Sequence, residues 1–184
     1  MGFFYRKFFV SKLLVLTLVF VADTTALAQN PILIAAAAEQ DWQTVATLVE
    51  RGTDVNIRRA DGATALLLTS HWDDQSTVRL LIEAGADVDA SDDHGVSPLE
   101  RASENASVAV VKALLTAGAN PNVSRASGLS PLMTASRTGS VEVVQTLIDH
   151  GADVNATVTA TNSTALMWAV SEAHSEIVEA LLEA

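Results

Sequence analysis

Four histidines are the side chains best suited to hold a metal ion or to move a proton near neutral pH. They are His71, His94, His150 and His174. A helical metal site places two histidines four residues apart, and no pair in this sequence has that spacing. We therefore expect each histidine to have a structural role or to face solvent, and we expect neither a metal nor a cofactor.

Clustered carboxylates are the second candidate for chemistry, because they serve as acid–base pairs and as calcium ligands. Three aspartates lie within residues 89–93, but they lack the glutamate that ends an EF-hand loop. Other aspartates stand at matching positions of a repeat described below, at Asp54, Asp87 and Asp153. Such recurrence indicates a hydrogen-bonding role in turns rather than catalysis.

Motifs for a nucleophile elbow, a phosphate-binding loop or a dinucleotide site are absent from the 184 residues, and so is cysteine. The sequence therefore offers no thiolate nucleophile, thiolate metal site or disulfide. Its net charge of −11 argues against nucleic acid binding, which requires a positive surface. These observations predict a protein that has no catalytic residues and is not an enzyme.

Residues 1–28 have the three parts of a secretory signal peptide. Positive residues come first, a ten-residue apolar run follows at 13–22, and Ala-Leu-Ala then matches the pattern that signal peptidase accepts. The run is shorter than the roughly 20 residues of a membrane-spanning helix. We predict cleavage between Ala28 and Gln29, export to a periplasm or an extracellular space, and no stable membrane insertion afterwards. An uncleaved membrane anchor is the alternative.

Two short phrases recur along the rest of the chain at a period of 33 residues. The first phrase begins with a glycine and continues as a near-copy of Ala-Asp-Val-Asn, starting at Gly52, Gly85, Gly118 and Gly151. The second reads Thr/Ser-Pro/Ala-Leu and starts at Thr64, Ser97, Ser130 and, one residue late, Thr164. A fixed period of this kind predicts stacked supersecondary units, none of which buries its apolar face alone.

The residue types also predict how each unit folds. The threonine or serine of the second phrase is an N-cap for a short first helix, and Pro98 and Pro131 stand at the first helical position. A second helix follows with apolar residues at helical spacing, and the glycine of the first phrase ends it. Gly139 occupies the turn between the two helices of one unit, where other units have Asp73, Ala106 or Ala173.

The two phrases in register resemble the ankyrin repeat, over residues 31–184. The resemblance implies an all-α solenoid of about five helix-turn-helix units, joined by β-hairpin-like loops that we call fingers. We place the ankyrin-repeat domain at 29–184 and its units at 29–58, 59–91, 92–124, 125–157 and 158–184, the last of them incomplete. The signal segment and the lack of cysteine favour an exported, bacterial periplasmic member of this family.

The resemblance further implies a non-catalytic protein-binding module that uses the fingers and the ends of the first helices. The residues at those places are Arg58, Asp61, His71, Trp72, Ser91, Asp93, His94, Val96, Glu104, Asn105, Leu129 and Arg137. Trp72 is the prime candidate, because the other units have polar residues at its position. The alternative is that it packs against its own second helix.

Acidic residues near Trp72 predict the charge of the partner protein, which the sequence does not identify. Asp73 and Asp74 follow the tryptophan, and Asp92 and Asp93 stand in the next finger. A rim of this charge favours a basic patch on the partner. Two other functions stay open, namely an enzyme accessory with a site around His94 and a docking arm of a larger protein.

Overall fold

A computed structural model describes residues 32–184 of the chain. The predicted signal peptide and its cleavage site between Ala28 and Gln29 lie outside these residues. Ten helices occur in the described part and no strand is assigned there. They are α1 (32–38), α2 (Trp42–Glu50), α3 (Ala65–His71), α4 (Gln75–Glu83), α5 (Pro98–Glu104), α6 (Val108–Thr116), α7 (Pro131–Thr138), α8 (Val141–Asp149), α9 (Ala165–Ser171) and α10 (Ser175–Glu183).

The helices form two layers that run the length of the array. The inner helices are the odd-numbered ones, and α3, α5, α7 and α9 pack side by side in that order. The outer helices are the even-numbered ones, and each from α2 to α10 packs on the next. One inner and one outer helix make a unit, so the all-α repeat solenoid expected from the sequence is confirmed.

Side-chain caps start the inner helices as the second phrase predicts. The hydroxyls of Thr64, Ser97, Ser130 and Thr164 each accept a hydrogen bond from a backbone N–H three residues on. Each bond satisfies one of the amides that a helix start leaves without a partner. The proline that follows two of these caps has no N–H to lose.

The turn between the two helices of each unit contains one residue in the left-handed region. Gly139 adopts it with φ of 89°, as the family pattern requires. Asp73, Ala106 and Ala173 adopt it too, with φ of 57°, 57° and 59°. These residues have a Cβ atom that clashes in this region, so their turns keep the same path at a cost in free energy.

A continuous apolar core lies between the two layers. Leu66, Leu99 and Leu132 of the inner helices are at most 1% exposed. Buried alanines such as Ala102 and Ala135 on the same helices let neighbouring inner helices approach closely. Because every unit repeats this pattern, each unit between the first and the last is covered by the unit before it and the unit after it.

The loops after the outer helices link one unit to the next through side-chain amides. Asn56 donates from Nδ2 to the Gly85 carbonyl at 2.9 Å and accepts from the Asp87 N–H at 2.7 Å. Asn122 makes the equivalent pair of bonds to Gly151 and Asp153. The turn role predicted for the recurring aspartates is confirmed, because each accepts the backbone N–H two residues on.

Candidate functional site

The fingers are hairpin turns closed by backbone hydrogen bonds. Arg59 N–H donates to the Ala63 carbonyl at 2.8 Å, and equivalent bonds close the next two fingers. The first two fingers also bond to each other, because Asp93 N–H donates to the Asp61 carbonyl at 2.9 Å. We call the surface that the fingers and the inner helices make together the inner face.

Two arginines hold the first finger. Arg58, one of the predicted contact residues, donates from Nη1 to the Ser91 carbonyl in the next finger at 2.8 Å. Arg59, which sequence reasoning missed, forms an ion pair with Asp61, and its Nε lies 2.8 Å from Oδ1. The Arg59 guanidinium thereby holds the pKa of the Asp61 carboxyl well below its usual range.

Three predicted contact residues meet at the end of α3. The Trp72 side chain is 45% exposed, and its ring meets the His71 ring edge-on with centroids 4.8 Å apart. The Asn105 amide of the next unit donates to the His71 carbonyl. These contacts fix the place of Trp72 on the inner face while nearly half of its side chain remains in solvent.

The carboxylates that the sequence predicts as an acidic rim with Trp72 are of two kinds. Asp74 caps α4 by accepting the Thr77 N–H at 2.7 Å. Asp92 accepts the N–H groups of His94 and Val96 inside its finger, both at 2.9 Å. Asp73, Asp93 and His94 are exposed. The exposed members of the rim are the ones available to a partner.

Val96 was predicted as a contact residue, and that prediction is wrong. Its side chain is only 2% exposed, because it lies at the base of the finger immediately before the cap of α5. Leu129 stands at the same place in the next finger and is half-buried against the core. Apolar residues at this position pack into the core and contribute little to the exposed surface.

The remaining predicted residues lie on α5 and α7. Glu104 pairs with Arg101 of its own helix at 2.8 Å. Arg137, at the matching position of α7, is exposed, and its guanidinium has no ion-pair partner among residues 32–184.

An ion pair between a buried carboxylate and a partly exposed guanidinium links α5 to the following finger, and sequence reasoning missed it. Glu100 is 2% exposed, and its Oε1 lies 2.7 Å from Nε of Arg125. Burial raises the pKa of the Glu100 carboxyl, and the Arg125 charge opposes that rise. Neighbouring units have Leu67 and Met133 at the matching position. The sequence signal that could have identified this ion pair is a charged residue at a repeat position that is otherwise apolar.

Between residues 32 and 184, the histidines and acidic residues nowhere gather in threes that would hold a metal ion. Within the same range, every helix is too short or too polar to cross a membrane.

Comparison with known families agrees with the geometry. A family model described as ankyrin repeats, in three copies, matches residues 32–125 and again residues 109–184. No curated protein matches the chain. The two matches together span every capped helix pair and finger of the structure. The chain therefore belongs to the ankyrin-repeat family.

Proposed function

We propose that this protein is a non-catalytic interaction module that binds a protein partner on its inner face. Ankyrin repeats generally are protein–protein interaction modules. The observation that supports this site is the exposure of Trp72, at 45%, where other units have Glu39, Asn105, Thr138 and Glu172. The repeat does not require an apolar side chain at this position, so a separate role accounts best for the tryptophan.

Tryptophan is the residue type most often found to dominate interface energetics. The Trp72 ring is supported on one side by His71, which reduces the freedom it would lose on binding. Asp73, the next residue, leaves negative charge exposed beside it, and a basic patch on the partner complements that charge.

The module acts after export in this proposal, in a periplasm or an extracellular space. The support is the charged, apolar and Ala-Leu-Ala succession within residues 1–28. N-terminal sequencing of the protein recovered from the exported fraction tests it. A chain that begins at Gln29 supports export with cleavage, whereas an intact Met1 in the membrane fraction contradicts it.

The binding surface is tested by Trp72→Ala. A pull-down from the exported fraction with the purified protein first identifies a partner. We then expect the substitution to weaken binding of that partner by about 2 kcal/mol or more, while the Tm of the protein stays nearly unchanged. The control is Val141→Ala, an apolar residue on an outer helix that is 37% exposed. A lower Tm with unchanged affinity shows that Trp72 is structural and that the partner binds elsewhere.

A further inference from the structure

The first unit leaves an open apolar cleft on the inner face. Ile34, Ala35 and Ala38 of α1 form its floor, and residues 57–60 of the first finger form its wall. Its volume is about 470 Å³. Cavities of this size and character are typical of places where proteins take up apolar groups.

The cleft lies beside two small residues of α1, at positions where the second and third units both have larger ones. The positions 33 residues after Ala35 and Ala38 are Leu68 and His71. Ala35 is exposed and Ala38 is half-buried, so the core does not require either of them to be small.

Two guanidinium groups line the rim of this cleft. The Asp61 carboxylate neutralises Arg59. Arg58 has no ion-pair partner among the described residues, and the Ser91 carbonyl holds only its Nη1. A guanidinium that is oriented in this way and still exposed is well suited to donate to a carboxylate.

We propose that the cleft binds a bulky apolar side chain next to a carboxylate in a segment of the partner protein. The apolar group lies against Ile34 and the two alanines, and the carboxylate accepts hydrogen bonds from Arg58. The proposal rests on the proposed function, because the cleft opens on the same inner face as Trp72. It adds a second anchor, of opposite charge preference, one unit before the tryptophan.

A matched pair of small probes tests the chemistry of the cleft. NMR amide shifts are followed while 4-phenylbutyrate or its amine analogue, 4-phenylbutylamine, is added to the purified protein. We expect saturable shifts in α1 and residues 57–60 for the carboxylate, with binding about fivefold weaker for the amine because the charge-assisted hydrogen bond is lost. Equal binding of the two probes, or shifts confined to other regions, overturns the proposal.

Two variants separate the apolar floor from the charged rim. Ala35→Leu combined with Ala38→His gives α1 the side chains of the second unit and fills the cleft, so the saturable shifts disappear. Arg58→Gln leaves the cleft open and lowers carboxylate affinity to that of the amine. Ala84→Leu, on the exposed end of an outer helix, is the control. It should change neither the saturable shifts nor the affinity for the carboxylate probe. Unchanged carboxylate binding in both cleft variants contradicts the proposal.

A random peptide library displayed on phage connects the cleft to partner binding. Peptides selected on the wild-type protein are expected to pair a large apolar residue with Asp or Glu. They should not bind the filled variant, which is Ala35→Leu combined with Ala38→His. Peptides that require Trp72 but bind the filled variant equally well overturn the cleft proposal alone. Peptides that require neither feature overturn the proposed function as well. Contacts between the cleft and this chain's own residues before Ile32 also overturn the cleft proposal.

Discussion

Glu100 is an acidic side chain buried at a position where neighbouring units have leucine or methionine. Taking a carboxylate out of water costs free energy that one ion pair seldom repays in full. The raised pKa of Glu100 is the sign of that cost, because the fold favours the uncharged form. The charge therefore weakens folding at neutral pH, and the cost falls as the pH drops through the pKa of the folded state.

Substitution at the two ends of this pair gives opposite results. We expect Glu100→Met, which copies Met133, to leave the free energy of unfolding unchanged or to raise it by about 1 kcal/mol. Arg125→Met leaves the carboxylate buried alone and lowers that free energy by about 2 kcal/mol at pH 7, since Arg125 is partly exposed. The loss should shrink at pH 5, where the carboxyl is more often protonated. Urea unfolding at the two pH values measures both effects.

The double variant Glu100→Met with Arg125→Met is the control for that experiment. It removes the buried charge together with its partner, so it should restore most of the stability lost in Arg125→Met alone. A loss in Arg125→Met that is equal at pH 5 and pH 7 would show that Arg125 acts by packing and not by charge.

Asp89 interrupts the series of linking asparagines in the loops. It accepts the Asn120 N–H at 2.9 Å, as Asn56 and Asn122 accept their counterparts. A carboxylate has no N–H, so Asp89 lacks the second bond that an asparagine amide makes to the glycine carbonyl. The loop link that Asp89 makes between the second and third units therefore has one side-chain hydrogen bond fewer than the links that Asn56 and Asn122 make.

Restoring that amide should stabilise the protein. We expect Asp89→Asn to raise the free energy of unfolding by about 1 kcal/mol through a new bond to the Gly118 carbonyl. Asn122→Asp makes the reverse change in a complete junction and should lower stability by a similar amount. The denaturation midpoints of the two variants, measured in urea, check this. A shift of both variants in the same direction would contradict the explanation.

At the scale of the element, the left-handed turns decide how an inner helix leads into its outer helix. Gly139 suits its turn in two ways, since φ is 89° and an added Cβ would lie 2.7 Å from Cε1 of His174. Ala106 has the same backbone conformation without the freedom of glycine. The fold therefore tolerates some local strain in these turns in return for an unbroken stack of units.

Glycine substitutions measure that strain. We expect Ala106→Gly to raise stability by up to about 1 kcal/mol, because relief of the left-handed conformation exceeds the added entropy of the unfolded chain. The control is Ala109→Gly inside α6, which should cost about 1 kcal/mol. Thermal and urea unfolding of both variants give the comparison. Destabilisation by both would show that the Ala106 turn is not strained.

Elements were more predictable from the sequence than the environment of single side chains. Caps, prolines and helix ends depend on residues within one turn of chain, so Ser97 and Pro98 were assigned correctly. Val96, Glu100 and the cleft over Ala35 depend on what lies beside them in the adjacent unit. Those neighbours are about 25 to 33 residues away, and a local pattern does not show which of them covers a given side chain.

At the scale of the whole molecule, each unit is stabilised only by contacts with the units directly before and after it. The outer helix α6 packs between α4 and α8, whereas α10 packs on α8 and α9 within residues 32–184. We expect Leu181 and Leu182 to exchange their amide hydrogens faster than Leu114 and Leu115 in a protein of these residues. Hydrogen exchange read by NMR measures the order. Slower exchange in α10 would contradict nearest-neighbour stability.

The incomplete junction at Asp89 also has a mechanical consequence. A stack of units joined in series bends or stretches most where its coupling is softest, as a chain of springs does. The missing amide bond therefore makes the loop link at Asp89 more compliant than the loop links at Asn56 and Asn122. Trp72 and the cleft lie on one side of it, and Arg125 and Arg137 lie on the other. A partner that spans both sides would therefore shift the loops more easily at Asp89 than at Asn56 or Asn122.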